Sequence, residues 1–285
     1  MTAITLPSGA RAWRQRSVIP GFGLTLGFTL VYLGLIVLIP LGALVLQTVG
    51  TGWGGLLAEA TSPRTLAAFR VSFGLAAVAA LANAVFGLLV AWVLVRYGFP
   101  TRRLVDALID LPFALPTAVA GIALTAIYSE SGWIGGVLAP LGIRVAYTPL
   151  GILVAMMFVG LPFVVRTVEP VLRDLDSGLE EAAALLGARR WHIIARIILP
   201  PLVPALLTGA TLAFARAVGE YGSVIFISSN MPGMSEIVPL LIVVKLEQFN
   251  YAGAATVATM MLIASFTLLL AINLIQAWTR RHYGG

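Results

Sequence analysis

The chain is expected to be an all-α integral membrane protein with six transmembrane helices and both termini in the cytoplasm. Three observations lead there. Only 11% of the 285 residues are charged while 59% are apolar, with a mean hydropathy of +0.98. Six segments are apolar over the roughly 20 residues a span requires. The basic residues collect at alternate ends of those segments. Soluble domains carry about 25% charged residues. This chain has too few charges to coat a water-facing surface, so lipid must cover most of it.

The elements follow in order. Residues 1–21 form a polar N-terminal segment in which Arg11, Arg14 and Arg16 precede an apolar run. That run extends over 22–46, far beyond the 7–15 residues of a signal-peptide core, so it is expected as a retained first span. Further spans are expected at 71–95, 108–128, 145–165, 197–217 and 248–278. The third contains Pro112 and Pro116, and the fifth Pro200, Pro201 and Pro204. Proline inside a span frees backbone carbonyls and is tolerated against other helices or a wet cavity. Both spans are therefore expected to face the protein interior. The octet 237–244 is too short to cross and is expected as an extracytoplasmic or re-entrant helix. With the N-terminus inside, thirteen basic residues (Arg11, Arg14, Arg16, Arg96, Arg102, Arg103, Arg166, Arg173, Arg189, Arg190, Arg196, Arg280, Arg281) lie on cytoplasmic segments. Four (Arg64, Arg70, Arg144, Lys245) lie outside, and Arg216 falls within a span. This asymmetry sets the orientation.

Several function classes drop out. A nucleic-acid surface would cluster its arginines on one face, whereas these sit at span ends. The chain has no cysteine, hence no disulfide or thiolate metal site. His192 and His282 are isolated, so no metal site is expected. A phosphate-binding P-loop needs Gly-Lys-[Ser/Thr]. Lys245, the only lysine, lies between Val244 and Leu246. No catalytic dyad is expected either.

The inside connection 166–196 differs from its surroundings: it holds Glu169, Asp174, Asp176, Glu180 and Glu181 beside its arginines. Ser177 with Glu180 fits a capping box that would start a helix, and Gly187 suits the left-handed position that would end it. A helix of about nine residues is too short to persist alone and must be held by neighbours. Ala182, Ala183 and Ala184 give it a narrow flank open to close approach. A second amphipathic segment, 191–198, leads through Leu199 and Pro200 into the fifth span.

The string Glu181-Ala182-Ala183, three residues, Gly187, nine residues, Ile197, one residue, Leu199-Pro200 resembles the pattern of the permease subunits of ABC importers. The resemblance runs over about 66–277. It implies a type I importer permease core at 66–277, a separate first helix at 22–46 and a cytoplasmic tail at 278–285. It further implies that Glu180, Glu181, Ala182, Ala183, Leu186 and Gly187 belong to a coupling helix that docks on a cytoplasmic ATPase. Ile197, Leu199 and Pro200 would join that loop to the membrane. The chain itself would be a transport subunit and no enzyme, binding no cofactor, with ATP-Mg held by two partner ATPase subunits.

The runs Asp106–Gly121, Pro162–Val168, Arg216–Gly222 and Gln248–Tyr251 are similar to the sulfate/thiosulfate permeases of the CysT type. That likeness implies a homologous second permease (CysW type), an external sulfate/thiosulfate-binding protein, alternating access and a bacterial inner-membrane location. Another oxyanion (molybdate, tungstate or phosphate) is the alternative substrate, and an ion-driven carrier the alternative class. For the translocation path the residues leave two readings. Arg216 and Glu220, four residues apart, are either a helix-internal ion pair or an anion-attracting element. Pro112, Pro116 and Thr117 either kink a helix for packing or break it beside a cavity. Asp106 and Asp110 are expected simply to favour a helix start, and Asn83 to make an interhelical hydrogen bond.

Overall fold

A computed structural model describes residues 21–283, with side chains up to 274 and at 276. Arg11, Arg14 and Arg16, and the side chains of Arg280, Arg281 and His282, lie outside what it describes. The described residues are helical, with no strand among them: α1 Phe22–Gly50, α2 Gly52–Ala60, α3 Pro63–Arg96, α4 Arg102–Ile109, α5 Leu111–Ala114, α6 Thr117–Tyr128, α7 Gly135–Leu138, α8 Pro149–Asp174, α9 Ser177–Leu185, α10 Arg190–Val218, α11 Val224–Ile227, α12 Val238–Glu247 and α13 Tyr251–Tyr283. Five of them, α1, α3, α8, α10 and α13, are long and apolar enough to cross a bilayer.

The centre is a three-helix packing of α3, α8 and α10. α3 buries a stripe of small residues (Ala68, Ser72, Ala76, Ala79, Asn83, Gly87, Ala91) at three- and four-residue spacing. Lipid tails are as apolar as leucine, so helices associate in membranes through close packing of small residues. The approach here leaves no room for more. A Cβ on Gly87 would meet Val164 Cγ1 at 2.7 Å, one on Gly160 would meet Asn83 Nδ2 at 2.5 Å, and one on Gly209 would meet the Val164 Cα at 2.8 Å. Asn83 departs from expectation: its buried Nδ2 has no hydrogen-bond partner among the described residues. It lies against Gly160, which has no side chain to accept a hydrogen bond.

α1 lies at the periphery, its one buried residue, Thr48, sharing a 2.8 Å hydrogen bond with Thr259 of α13. Its π-helical turn Gly34–Leu38 stands just before Pro40, and a second such turn, Ile194–Ile198, stands before Pro200 and Pro201. Proline supplies no N–H, and a widened turn re-pairs the carbonyls left over. α3 starts at Ser62, whose hydroxyl accepts from the Thr65 amide at 3.2 Å, and α8 at Thr148, which accepts from Leu150 at 3.2 Å. α8 continues through Pro162 and Pro170.

The segment expected as the third span, 108–128, is in pieces. Leu115 is extended (φ −87°, ψ 135°) because the following proline disfavours the helical region. α6, the longest piece at 12 residues, reaches about 18 Å. It buries Ala120, Gly121 and Leu124, and leaves Val119, Ile122 and Ile127 exposed. Thus it meets the interior on one face only. The fifth span begins earlier than expected: the amphipathic segment 191–198 is continuous with it as α10. The octet 237–244 lies in α12.

Candidate functional site

α9 is the expected loop helix, nine residues long. Its start corrects the sequence reading by one residue. Asp176 is the cap, its carboxylate accepting from the Gly178 amide at 2.9 Å. Glu180 does not reach back to close a capping box, because its carboxylate is bound to Arg96 at the last turn of α3. The end is as expected. Gly187 has φ +83°, its N–H reaches the Ala184 carbonyl at 3.0 Å, and the Ala188 N–H reaches the Ala183 carbonyl at 3.0 Å. Those paired bonds are a Schellman turn.

No residue of α9 is buried. Glu181 and Ala182 are exposed and Ala183 half-buried. Leu185 and Leu186 are each 89% exposed, and Trp191 is exposed beside them. So small a helix, bearing leucines in water, lacks the tertiary cover that short helices need. Among the described residues, Glu180 to Arg96 is the one side-chain bond that ties it to a span. Arg96 in turn stands 5.6 Å over the Trp92 ring. At the junction, Ile197 and Leu199 are half-buried, Ile198 is buried and Pro200 is exposed.

Beside this loop lies a cluster that sequence reading missed. Arg166 of α8 binds Asp110 through Nε (2.9 Å) and Nη2 (2.6 Å), Asp106 through Nη1 (2.7 Å) and Glu169 through Nη1 (2.8 Å). Its Nη2 also donates to the Asp106 carbonyl at 3.1 Å. Arg173 holds the other oxygen of Glu169. Asp106 is therefore not a helix-start residue, and Asp110, although it stands at the N-cap of α5, turns its carboxylate to Arg166 and makes no side-chain cap bond. Asp106 lies mid-way along α4, Asp110 sits between α4 and α5, and both fasten these pieces to α8. The available signal was two carboxylates one turn apart opposite an Arg-x-x-Glu.

Near the other end of α10, the residues proposed for translocation divide. Arg216 Nη1 pairs with Glu220 at 2.6 Å, so the pairing expected from the spacing is present. Glu220 is 1% exposed, and its second oxygen accepts from the Ser223 amide (2.9 Å) and hydroxyl (2.8 Å). A buried carboxylate without such donors would be costly. The turn 219–223 lies directly on the start of α6. A Cβ on Gly222 would meet Thr117 Oγ1 at 2.1 Å, and one on Gly121 would meet the Ser223 carbonyl at 2.5 Å. Hence Thr117, with Pro116 just before it, lies against the turn that follows Glu220, and Arg216 is linked to that turn through its pair with Glu220. Pro112 does not join them; it lies in α5, whose Phe113 packs edge-on to Phe163 at 5.1 Å.

A further set of polar links was also missed. Glu236, buried before α12, takes two hydrogen bonds from Arg64 (2.8 and 2.6 Å), and Lys245 pairs with Glu59 at 2.8 Å. The Val238 amide donates to Ser72 at 2.7 Å. Together they pin α12 to α2 and the first turns of α3. No group of three potential metal ligands occurs among the described residues.

Comparison with known proteins gives consistent likenesses. The model of the family "binding-protein-dependent transport system inner membrane component" matches residues 83–284. A probable sulfate transport system permease protein cysT from Nephroselmis olivacea is 50% identical, covering 98% of both chains. The sulfate transport system permease protein CysT of Escherichia coli is 49% identical over 92% of this chain and 95% of that one. Among solved structures, a bacterial ABC transporter involved in the import of the acidic polysaccharide alginate superposes with a TM-score of 0.75 at 16% identity, over 90% of this chain and 94% of the other.

Proposed function

Because the chain belongs to the binding-protein-dependent transport system inner membrane component family, we propose that it is the permease subunit of an ABC importer for sulfate and thiosulfate. It is a transport subunit and not an enzyme. The substrate rests on the names of relatives about half identical over nearly their whole length. The mechanical reading rests on one observation: α9, a capped nine-residue helix none of whose residues is buried and whose leucines stand exposed.

In this reading α9 is the coupling helix. Leu179, Leu185 and Leu186, exposed here, pack in a groove of a cytoplasmic ATPase that holds ATP-Mg, and Glu181 meets a basic group there. Ala182 and Ala183 permit close approach, and Gly187 turns the chain back toward Ile197, Leu199 and Pro200. Closure of two ATPase subunits then moves α9, and the Glu180–Arg96 bond passes that movement to α3 while α10 receives it through the loop. The spans open outward to a loaded external binding protein, and hydrolysis returns them inward.

The finer topology belongs to the same proposal. The pieces α4 to α6 together make a third crossing, giving six, with both termini in the cytoplasm. α12 lies on the outer side as a re-entrant or extracytoplasmic helix. The core is 66–277, preceded by the cytoplasmic segment 1–21 and the helix at 22–46, and followed by the tail 278–285. A homologous second permease of the CysW type covers the open face of α6. Arg216, Glu220, Pro116 and Thr117 border the passage, where the part of the Arg216 guanidinium not held by Glu220 favours an anion. The membrane is the bacterial inner membrane.

Purification in mild detergent with identification of bound chains, followed by ATP-driven sulfate uptake in reconstituted vesicles, tests the proposal. An ATPase and a second permease should co-purify, and unlabelled thiosulfate should compete with labelled sulfate. Uptake driven by an ion gradient without ATPase, or competition by molybdate alone, would contradict it.

A further inference from the structure

We propose that a groove at the base of α10 binds the phosphate headgroup of an anionic phospholipid in the cytoplasmic leaflet. The groove, about 500 Å³, is bounded by Gly187, Ala188, Arg189, His192, Arg196 and Ile197. No carboxylate lines it. Three other arginines near the loop are matched: Arg96 by Glu180, Arg166 by Asp106, Asp110 and Glu169, and Arg173 by Glu169. Arg190 is exposed and without an ion pair among the described residues, but it does not line the groove. Arg189 and Arg196 are exposed and have no ion pair among the described residues.

The chemistry changes along the groove. Its basic wall ends at Arg196, and the next residue, Ile197, opens the apolar stretch of α10. One turn further, Pro201 is exposed on the same side of the helix. Trp191, the chain neighbour of His192 in the groove wall, is exposed, as an amphipathic aromatic ring at the headgroup layer would be. A phospholipid satisfies both parts, its phosphate on the arginines and its chains along Ile197 and Pro201. An acidic protein segment would satisfy only the first. Basic pockets on the cytoplasmic side of transmembrane helices hold headgroups in this way.

The inference rests on the orientation stated under the proposed function. The test uses the assembled transporter in lipid nanodiscs, with native mass spectrometry counting retained phosphatidylglycerol and phosphatidylcholine. Arg189→Gln with Arg196→Gln should weaken phosphatidylglycerol retention about 30-fold, from the gain each basic residue makes near an anionic surface. Phosphatidylcholine should be unaffected, and Arg189→Lys with Arg196→Lys should keep most of the binding. On the unaltered protein, high salt should reduce phosphatidylglycerol retention, and millimolar inorganic phosphate should not displace it. Unchanged retention in the Gln variant, or displacement by free phosphate, overturns the site. Loss of ATPase co-purification at unchanged lipid retention assigns the groove to a protein partner and also overturns it. A wild-type chain that retains phosphatidylglycerol but never an ATPase upholds the lipid site and removes the coupling reading.

Discussion

Glu180 is expected to carry force between α9 and α3, and its pairing with Arg96 is the most direct place to perturb transmission. The side chains of Arg96 and Glu180 are about a quarter exposed, 23% and 25%. Fully exposed pairs contribute about 0–1 kcal/mol, and breaking buried ones costs about 3–5 kcal/mol. This intermediate pair is therefore worth about 2 kcal/mol, with Arg96 further steadied by the Trp92 ring. At 1.4 kcal/mol per factor of ten, Glu180→Ala should shift the balance between docked and undocked α9 by about 30-fold. The chain should still insert, since α9 contributes no residue to the core. The assay is the ratio of sulfate imported to ATP hydrolysed by the reconstituted complex. The single variants Glu180→Ala and Arg96→Ala should each lower that ratio at normal abundance. The exchange Arg96→Glu with Glu180→Arg should recover much of it, giving a double-mutant coupling energy of about 2 kcal/mol. An unchanged ratio in both single variants would refute the reasoning.

Three other outcomes follow from the geometry. Arg166→Ala leaves Asp106, Asp110 and nearly buried Glu169 facing one another. It should cost about 3 kcal/mol in detergent thermal melts, and Arg166→Lys should recover only part because an ammonium cannot grip Asp110 with two bonds. Gly209→Val should cost about 3 kcal/mol and lower the yield of folded protein, since the added carbon meets the Val164 backbone at 2.8 Å, a group that cannot step aside. Arg216→Gln should reduce sulfate uptake roughly tenfold, the loss of one charge-assisted contact, with ATPase co-purification unchanged; Arg216→Lys should retain most uptake.

What the sequence made legible was local. Asp176-Ser177 and Gly187 bracket α9 because capping depends on residues within one turn. The cap lies one residue early because Glu180 answers to Arg96, 84 positions away, a contact no local pattern carries. Pro112 and Pro116 announced disorder in the helical pattern of 108–128, yet the choice between a kink and a break was settled by Leu115 adopting the extended conformation. The Arg166 cluster joins residues 56 and 60 positions apart, so its acids looked like ordinary helix-start residues. Arg216 and Glu220, four apart on one face, were readable as a pair. The two further donors from Ser223 were not, since they depend on how the chain turns after Gly219.

The claim that α9 is a lever moved by another subunit's nucleotide hydrolysis can be tested by proximity. The chain has no cysteine, so a single Ala182→Cys or Leu185→Cys supplies a unique thiol at an exposed position. In the assembled transporter that thiol should cross-link to the ATPase subunit, with an efficiency that changes on ATP binding, and should resist membrane-impermeant reagents added outside intact cells. Labelling from outside, or no cross-link to any ATPase in an active complex, would contradict the account.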